Sequence, residues 1–235
     1  MAASQLCSKL FQKSCAISEA TSKQSATILF LHGLGDTGHG WCQLIGEIKQ
    51  PYMSLICPTA PVMPVTLNSG MRMPSWFDLY SLDKEGRQDE EGIRAAAKNV
   101  HDAIEEIEKG GTPTNRILLG GFSQGGSLAA FAGLTYPKPL AGLLLLSCWV
   151  PLHDSLMNES NDVNKVIPIL QCHGDSDMMV KYLYGQKSAE LLSSLNPSNH
   201  TFKTYNGLGH SSDPREMRDI EVWLGKLLPP VGGAM

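Results

Sequence analysis

From residue 26 to residue 227 the chain alternates short, continuously apolar runs with longer stretches in which apolar residues return every three or four positions. Ala26–Leu31 (ATILFL) is a run of β-forming residues with no polar face, the pattern of a strand covered on both sides. Residues 53–57, 116–121, 142–147 and 166–173 repeat the theme, whereas 201–205 alternates as a strand nearer an edge does. In Glu90–Lys109 the apolar positions Ile93, Ala97, Val100, Ile104 and Ile107 fall on one helical face, and Gly110-Gly111 supplies the stop. Helices are also predicted over 125–135, 183–195 and Pro214–Leu227, the last ending before Pro229-Pro230. Strands alternating with helices predict an α/β fold with a mostly parallel central sheet and helices on both faces. The expected organisation is a polar leader over 1–24, a single domain over 25–230 and a short tail over 231–235.

One segment has no period. Residues 58–77 hold four prolines, Pro58, Pro61, Pro64 and Pro74, together with Met63, Met71, Met73, Trp76 and Phe77. A long irregular stretch inside a compact domain is usually functional, and this one is too apolar to lie in water. The expectation is that Met63, Met71, Met73, Trp76 and Phe77 line a greasy substrate channel. The competing expectation is that they cap the sheet.

Charge narrows the function classes. The net charge is −4 and the pI about 6.0, and lysine and arginine are scattered, so nucleic acid is not an expected partner. The most apolar stretch, 139–152, is too short to span a bilayer and reads as a buried strand. Six cysteines stand far apart without a C-x-x-C pair, and no apolar signal core follows Lys9 and Lys13. Reduced thiols and a cytoplasmic setting are the expectation. No histidine pair stands at metal-ligand spacing, and neither a P-loop nor a dinucleotide fingerprint is present, so no metal or cofactor is expected.

The strongest chemical signal is Gly121-Phe122-Ser123-Gln124-Gly125, which follows a predicted strand and opens a predicted helix. That context is what a G-x-S-x-G nucleophile elbow requires, and it makes the α/β-hydrolase fold the expected architecture. A serine hydroxyl needs a base to take its proton and a carboxylate to orient that base, in the chain order serine, acid, histidine. Of the candidate histidines, His173 precedes the acid and His200 sits just ahead of a strand. His210, in the glycine-rich loop 206–210 before the last helix, remains as the base. The acid comes from 173–177, where Asp177 is favoured and Asp175 stays open as either the catalytic carboxylate or a loop-stabilising turn residue. Oxyanion donors are expected from the backbone of Gln124, next to the nucleophile, and of Leu34 in the glycine-flanked loop after the first strand. The rival class is a ligand receptor that keeps this fold without turnover.

The runs FLHGLGDTGHGW (30–41), MPSWFDLYSL (73–82), GGFSQGGSLA (120–129), LSCWVPL (146–152), LQCHGDSD (170–177), FKTYNGLGHSS (202–212) and KLLPP (226–230) resemble the acyl-protein thioesterases, lysophospholipase-type carboxylesterases of the cytosol. The resemblance spans about residues 24–230. It implies a serine hydrolase that removes fatty-acyl thioesters from protein cysteines through an acyl-enzyme. Lysophospholipids and simple esters are the alternative substrates, and transient contact with a membrane surface is an implied property. It also implies Ser123, Asp177 and His210 as the triad, ahead of Asp175, with Leu34 and Gln124 at the oxyanion. Three departures stand out: Ala2 occupies a position where lipid-modified relatives carry cysteine, leaving Cys7 as the first thiol; the run 177–181 replaces one usually ending in Val-Pro; and Gly209 replaces a usual methionine.

Overall fold

Both parities of each apolar run are apolar because each strand is covered on both faces. A computed structural model of the chain describes residues 11, 15–83 and 86–231. Seven strands form the main sheet: β1 (Cys15–Ser18), β2 (Ala26–Leu31), β3 (Met53–Pro58), β6 (Ile117–Phe122), β7 (Gly142–Leu146), β8 (Ile169–Gly174) and β9 (His200–Tyr205). Their spatial order is β1-β3-β2-β6-β7-β8-β9, all parallel except β1, which pairs antiparallel with β3. Alternate residues of a strand feed separate cores. Leu29, Leu31, Leu119 and Leu145 join the apolar cluster on one face, whereas Ile28, Phe30, Leu118 and Leu144 join the cluster on the other.

Helices α1 (Gly38–Ile48) and α6 (Pro214–Leu227) contribute Trp41, Ile45, Ile220 and Leu224 to the second face. The first face is covered by α2 (Glu90–Lys109) and α3 (Gln124–Thr135), with α4 (His153–Glu159) and α5 (Tyr182–Leu195) beside them. In α2 the predicted stripe is buried, with Asp89 capping the N-terminus by accepting from the Gly92 N–H. Each buried isoleucine of that stripe contributes about 1.5–3 kcal/mol. Pro214 begins α6, and Asp213 caps it by accepting from the N–H groups of Arg215 and Glu216.

Four elements depart from expectation. Residues 15–18, inside the stretch read as a leader, form β1 of the main sheet. The segment 58–77 is not wholly irregular: β4 (Val62–Val65) and β5 (Met71–Pro74) make a separate antiparallel hairpin. Helices α1 and α4 are additions to the expected set. Reduced thiols hold for Cys42, Cys57, Cys148 and Cys172, but Cys15 is disulfide-bonded. Cys7 and the tail residues 232–235 lie outside the described residues. No helix among the described residues is long and apolar enough to cross a membrane.

Candidate active site

Ser123 sits where β6 ends and α3 begins, with φ 53° and ψ −120°. Such a backbone costs on the order of 1–3 kcal/mol and persists only where its surroundings enforce it. Here they do. A Cβ on Gly121 would lie 2.4 Å from the carbonyl carbon of Gly125, and one on Gly125 would lie 2.2 Å from the carbonyl oxygen of Leu31. The two flanking glycines therefore let the turn close against itself and against β2.

The turn aims the serine at the loop after β9. The Ser123 hydroxyl donates to His210 Nε2 at 3.0 Å, and His210 Nδ1 donates to Asp177 Oδ2 at 2.7 Å. A carboxylate only accepts, so the proton between them belongs to Nδ1, which leaves Nε2 free to receive the serine proton. Asp177 is buried, 3% exposed, and its other oxygen accepts from the N–H groups of Met179 (2.8 Å) and Val180 (2.9 Å). A buried charge is tolerable when its acceptor sites are filled in this way. The Phe122 ring packs against the imidazole, with centroids 4.6 Å apart.

Leu34 and Gln124, which line a cavity at Ser123, each bring a backbone N–H without a partner among the described residues. The former belongs to the loop after β2 and the latter is the first residue of α3, where intrahelical acceptors are absent. The Gln124 side chain has a separate task. Its Oε1 accepts from Trp76 N, and its Nε2 donates to the Phe77 carbonyl and to Ser75 Oγ, so it ties 75–77 to the elbow. His32 braces the other loop: its Nε2 accepts from Ala60 N at 3.0 Å while Nδ1 donates to the Gly33 carbonyl. Burial lowers its pKa and keeps it in this neutral form. Sequence spacing announces none of these bonds, most of which join residues tens of positions apart.

The histidines and aspartates set aside from sequence fall elsewhere. His173 is buried, donates from Nε2 to the Val180 carbonyl and has its pKa lowered by burial, so it supports the 177–180 turn as a neutral group. His200 opens β9 and contacts Gln171 Oε1. Asp175 is exposed and accepts from Gly207 N and Ser176 Oγ, holding two loops together.

The five channel candidates divide. A cavity of about 280 Å³ opens at Ser123, Gln124 and His210, and Met73 lines it. Met63, Met71, Trp76 and Phe77 do not. Met71 is 65% exposed, and Met63 lies half-buried in the hairpin. Trp76 and Phe77 are core: the Trp76 indole donates to the His32 carbonyl and packs edge-on against Phe11. The rest of the apolar lining includes Leu67, Leu79, Leu82, Trp149 and Met179; no periodicity marks them, although Leu79, Leu82 and Trp149 lie in runs shared with the family. A second cavity, about 570 Å³, is lined by the same histidine together with residues of α1 and α6.

The family model for phospholipases and carboxylesterases matches residues 12–228. The chain belongs to that phospholipase/carboxylesterase family. Within it, the chain is 39% identical over 224 residues to acyl-protein thioesterase 1 of Mycosarcoma maydis, covering 88% of this chain and 93% of that protein. It is 40% identical over 222 residues to acyl-protein thioesterase 1 of Gibberella zeae, covering 90% and 94%. Among solved structures, acyl-protein thioesterase 2 of Zea mays is similar with a TM-score of 0.83 and 34% identity, covering 92% of this chain and 99% of that one. SOBER1 of Arabidopsis thaliana gives a TM-score of 0.82 at 37% identity, covering 87% and 99%. These relationships make the protein a hydrolase of the α/β-hydrolase fold.

Proposed function

We propose that this hydrolase removes long-chain acyl groups from S-acylated cysteines of proteins, with Ser123 as nucleophile, His210 as base and Asp177 as its orienting acid. The observation that carries the reading is the hydrogen-bonded relay at 3.0 and 2.7 Å, set at the mouth of an apolar cavity. The names of its relatives support the thioester as substrate.

Ser123 Oγ attacks the thioester carbonyl carbon as its proton passes to His210 Nε2. The oxyanion that forms lies between Leu34 N–H and Gln124 N–H, which need not reorganise to receive it. Collapse breaks the C–S bond, and the cysteine sulfur takes the proton from Nε2, leaving an acyl ester on Ser123. Water then repeats the sequence and releases the fatty acid. Asp177 favours the cationic imidazole at each transfer, and buried methylenes of about 0.8 kcal/mol each hold the acyl chain in the cavity.

Lysophospholipids and simple esters would be handled by the same groups, and the description of the family favours them as a second reading. Parallel kinetics on a palmitoyl-cysteine peptide and on lysophosphatidylcholine decide between them. A kcat/KM at least tenfold higher for the peptide is expected, and the reverse order would replace the thioesterase reading. A cytoplasmic setting with transient membrane contact completes the proposal. The four free buried thiols support it, and the disulfide at Cys15 weighs against it. Localisation of the tagged protein in cells, with fractionation of membranes, tests that part.

A further inference from the structure

The 570 Å³ cavity between α1 and α6 shares Asp36, Phe122 and His210 with the acyl cavity, so His210 borders both spaces. Their linings differ in kind. The acyl cavity is walled by Leu67, Met73, Leu79 and Leu82. The second has an apolar floor of Trp41, Leu44, Ile48 and Met217 under a charged rim. On that rim Asp36, Glu47 and Glu221 make no ion pair among the described residues, and all three are exposed. Asp213 is there too but is already paired with Arg215, and Arg218 also lines the groove.

The chemistry of the leaving group says what this space receives. His210 Nε2 must hand its proton to the departing sulfur, so sulfur and the polypeptide it belongs to leave past the imidazole, on the side away from the acyl chain. An alkyl chain gains nothing from three unpaired carboxylates, whereas a peptide with lysine or arginine beside its cysteine gains from each of them, and its apolar neighbours gain from the floor. Resting on the thioesterase reading above, we infer that the α1–α6 groove is a leaving-group subsite that selects acylated cysteines flanked by basic residues.

The test uses two palmitoyl-cysteine peptides alike except for three flanking residues, all lysine in one and all glutamate in the other, with kcat/KM measured at low and high salt. The wild-type protein is expected to prefer the lysine peptide by about tenfold at low salt, since the exposed carboxylates attract its charges and repel those of the glutamate peptide. That preference should shrink in 0.5 M NaCl, where screening acts over about 4 Å. In the double variant Glu47→Lys/Glu221→Lys the ratio should fall to about one or invert. Because the readout is a ratio of two substrates on one enzyme preparation, a partial loss of folded protein cancels from it, and the salt dependence of the wild type needs no variant. Equal turnover of the two peptides by the wild type, or a preference unchanged in the double variant, would overturn the inference alone. Hydrolysis of a short ester with turnover of neither peptide would overturn the thioesterase reading and this inference with it.

Discussion

Asp175 and Asp177 leave the same strand two residues apart, and their surroundings separate them completely. Asp177 turns inward, fills one oxygen with two backbone N–H groups and gives the other to His210. Asp175 stays in water and bridges two loops. Asp177→Asn is therefore expected to lower kcat by about 10⁴, because the amide can no longer hold the Nδ1–H tautomer. Asp175→Asn should change kcat by less than about tenfold, and steady-state kinetics on a short ester would compare the two. Losses of equal size would overturn the assignment of the acid to Asp177. Ser123 and His210 were legible in the chain because small residues must flank a strained turn and because the order of the triad is constrained. Asp177 was favoured over Asp175 mainly through the family resemblance and was not decided by the residues themselves, since the choice depends on which way the 174–177 turn folds. The bracing by the Gln124 side chain was not legible either, because its partners lie 47 to 49 residues earlier.

The parallel strands and four long helices were readable as elements because their patterns are strong: unbroken apolar runs for the strands, a 3.6-residue stripe for α2. What escaped was short or punctuated. Strand β1 is four residues in a polar leader, and its pairing depends on β3, 40 residues on. The β4–β5 hairpin carries Pro64 and Pro74, which read as breakers and are tolerated because a two-stranded ribbon consists only of edges. Helix α1 contains Gly38, Gly40 and Gly46, which mask its apolar face. The hairpin now makes the channel question specific. Met73→Glu should reduce turnover of a palmitoyl thioester at least a hundredfold while leaving an acetyl ester within a few-fold, and Met71→Glu, on the exposed side, should affect neither by much. Equal sensitivity to the two substitutions would mean that the 280 Å³ cavity does not hold the acyl chain. In the elbow, Gly125→Ala places a methyl 2.2 Å from the Leu31 carbonyl oxygen, so β2 and α3 must part. A melting temperature lowered by more than about 5 °C is expected, and an unchanged one would contradict this account of the turn.

At the scale of the molecule, a buried carboxyl in α6 makes stability vary with pH. Glu216, in the first turn of α6, is fully buried beside the Ser212 hydroxyl, with Asp213 and Asp219 as the charged groups that act on it. Burial pushes its pKa up to about 7, from 4.5. The unfolded chain releases this proton first as pH rises, so the contribution of Glu216 to stability is fully present below about pH 4.5 and is lost as pH rises through 7. The loss is about 3 kcal/mol, and Glu216→Gln, which cannot ionise, should be more stable than the wild type at pH 8 and lose that advantage near pH 5. Urea unfolding at the two values measures it, and a pH-independent difference would show that the carboxyl is ionised in the folded protein. The proposed reaction nevertheless turns on one covalent event at one atom, Ser123 Oγ. Acid-quenched mixing with a palmitoyl-cysteine peptide, followed by intact-mass and peptide-level mass spectrometry, should find the palmitoyl group on Ser123 of the wild-type protein. Ser123→Ala should carry no adduct and release no palmitate above background; an adduct on another residue, or palmitate released by Ser123→Ala at the wild-type rate, would contradict the proposed mechanism.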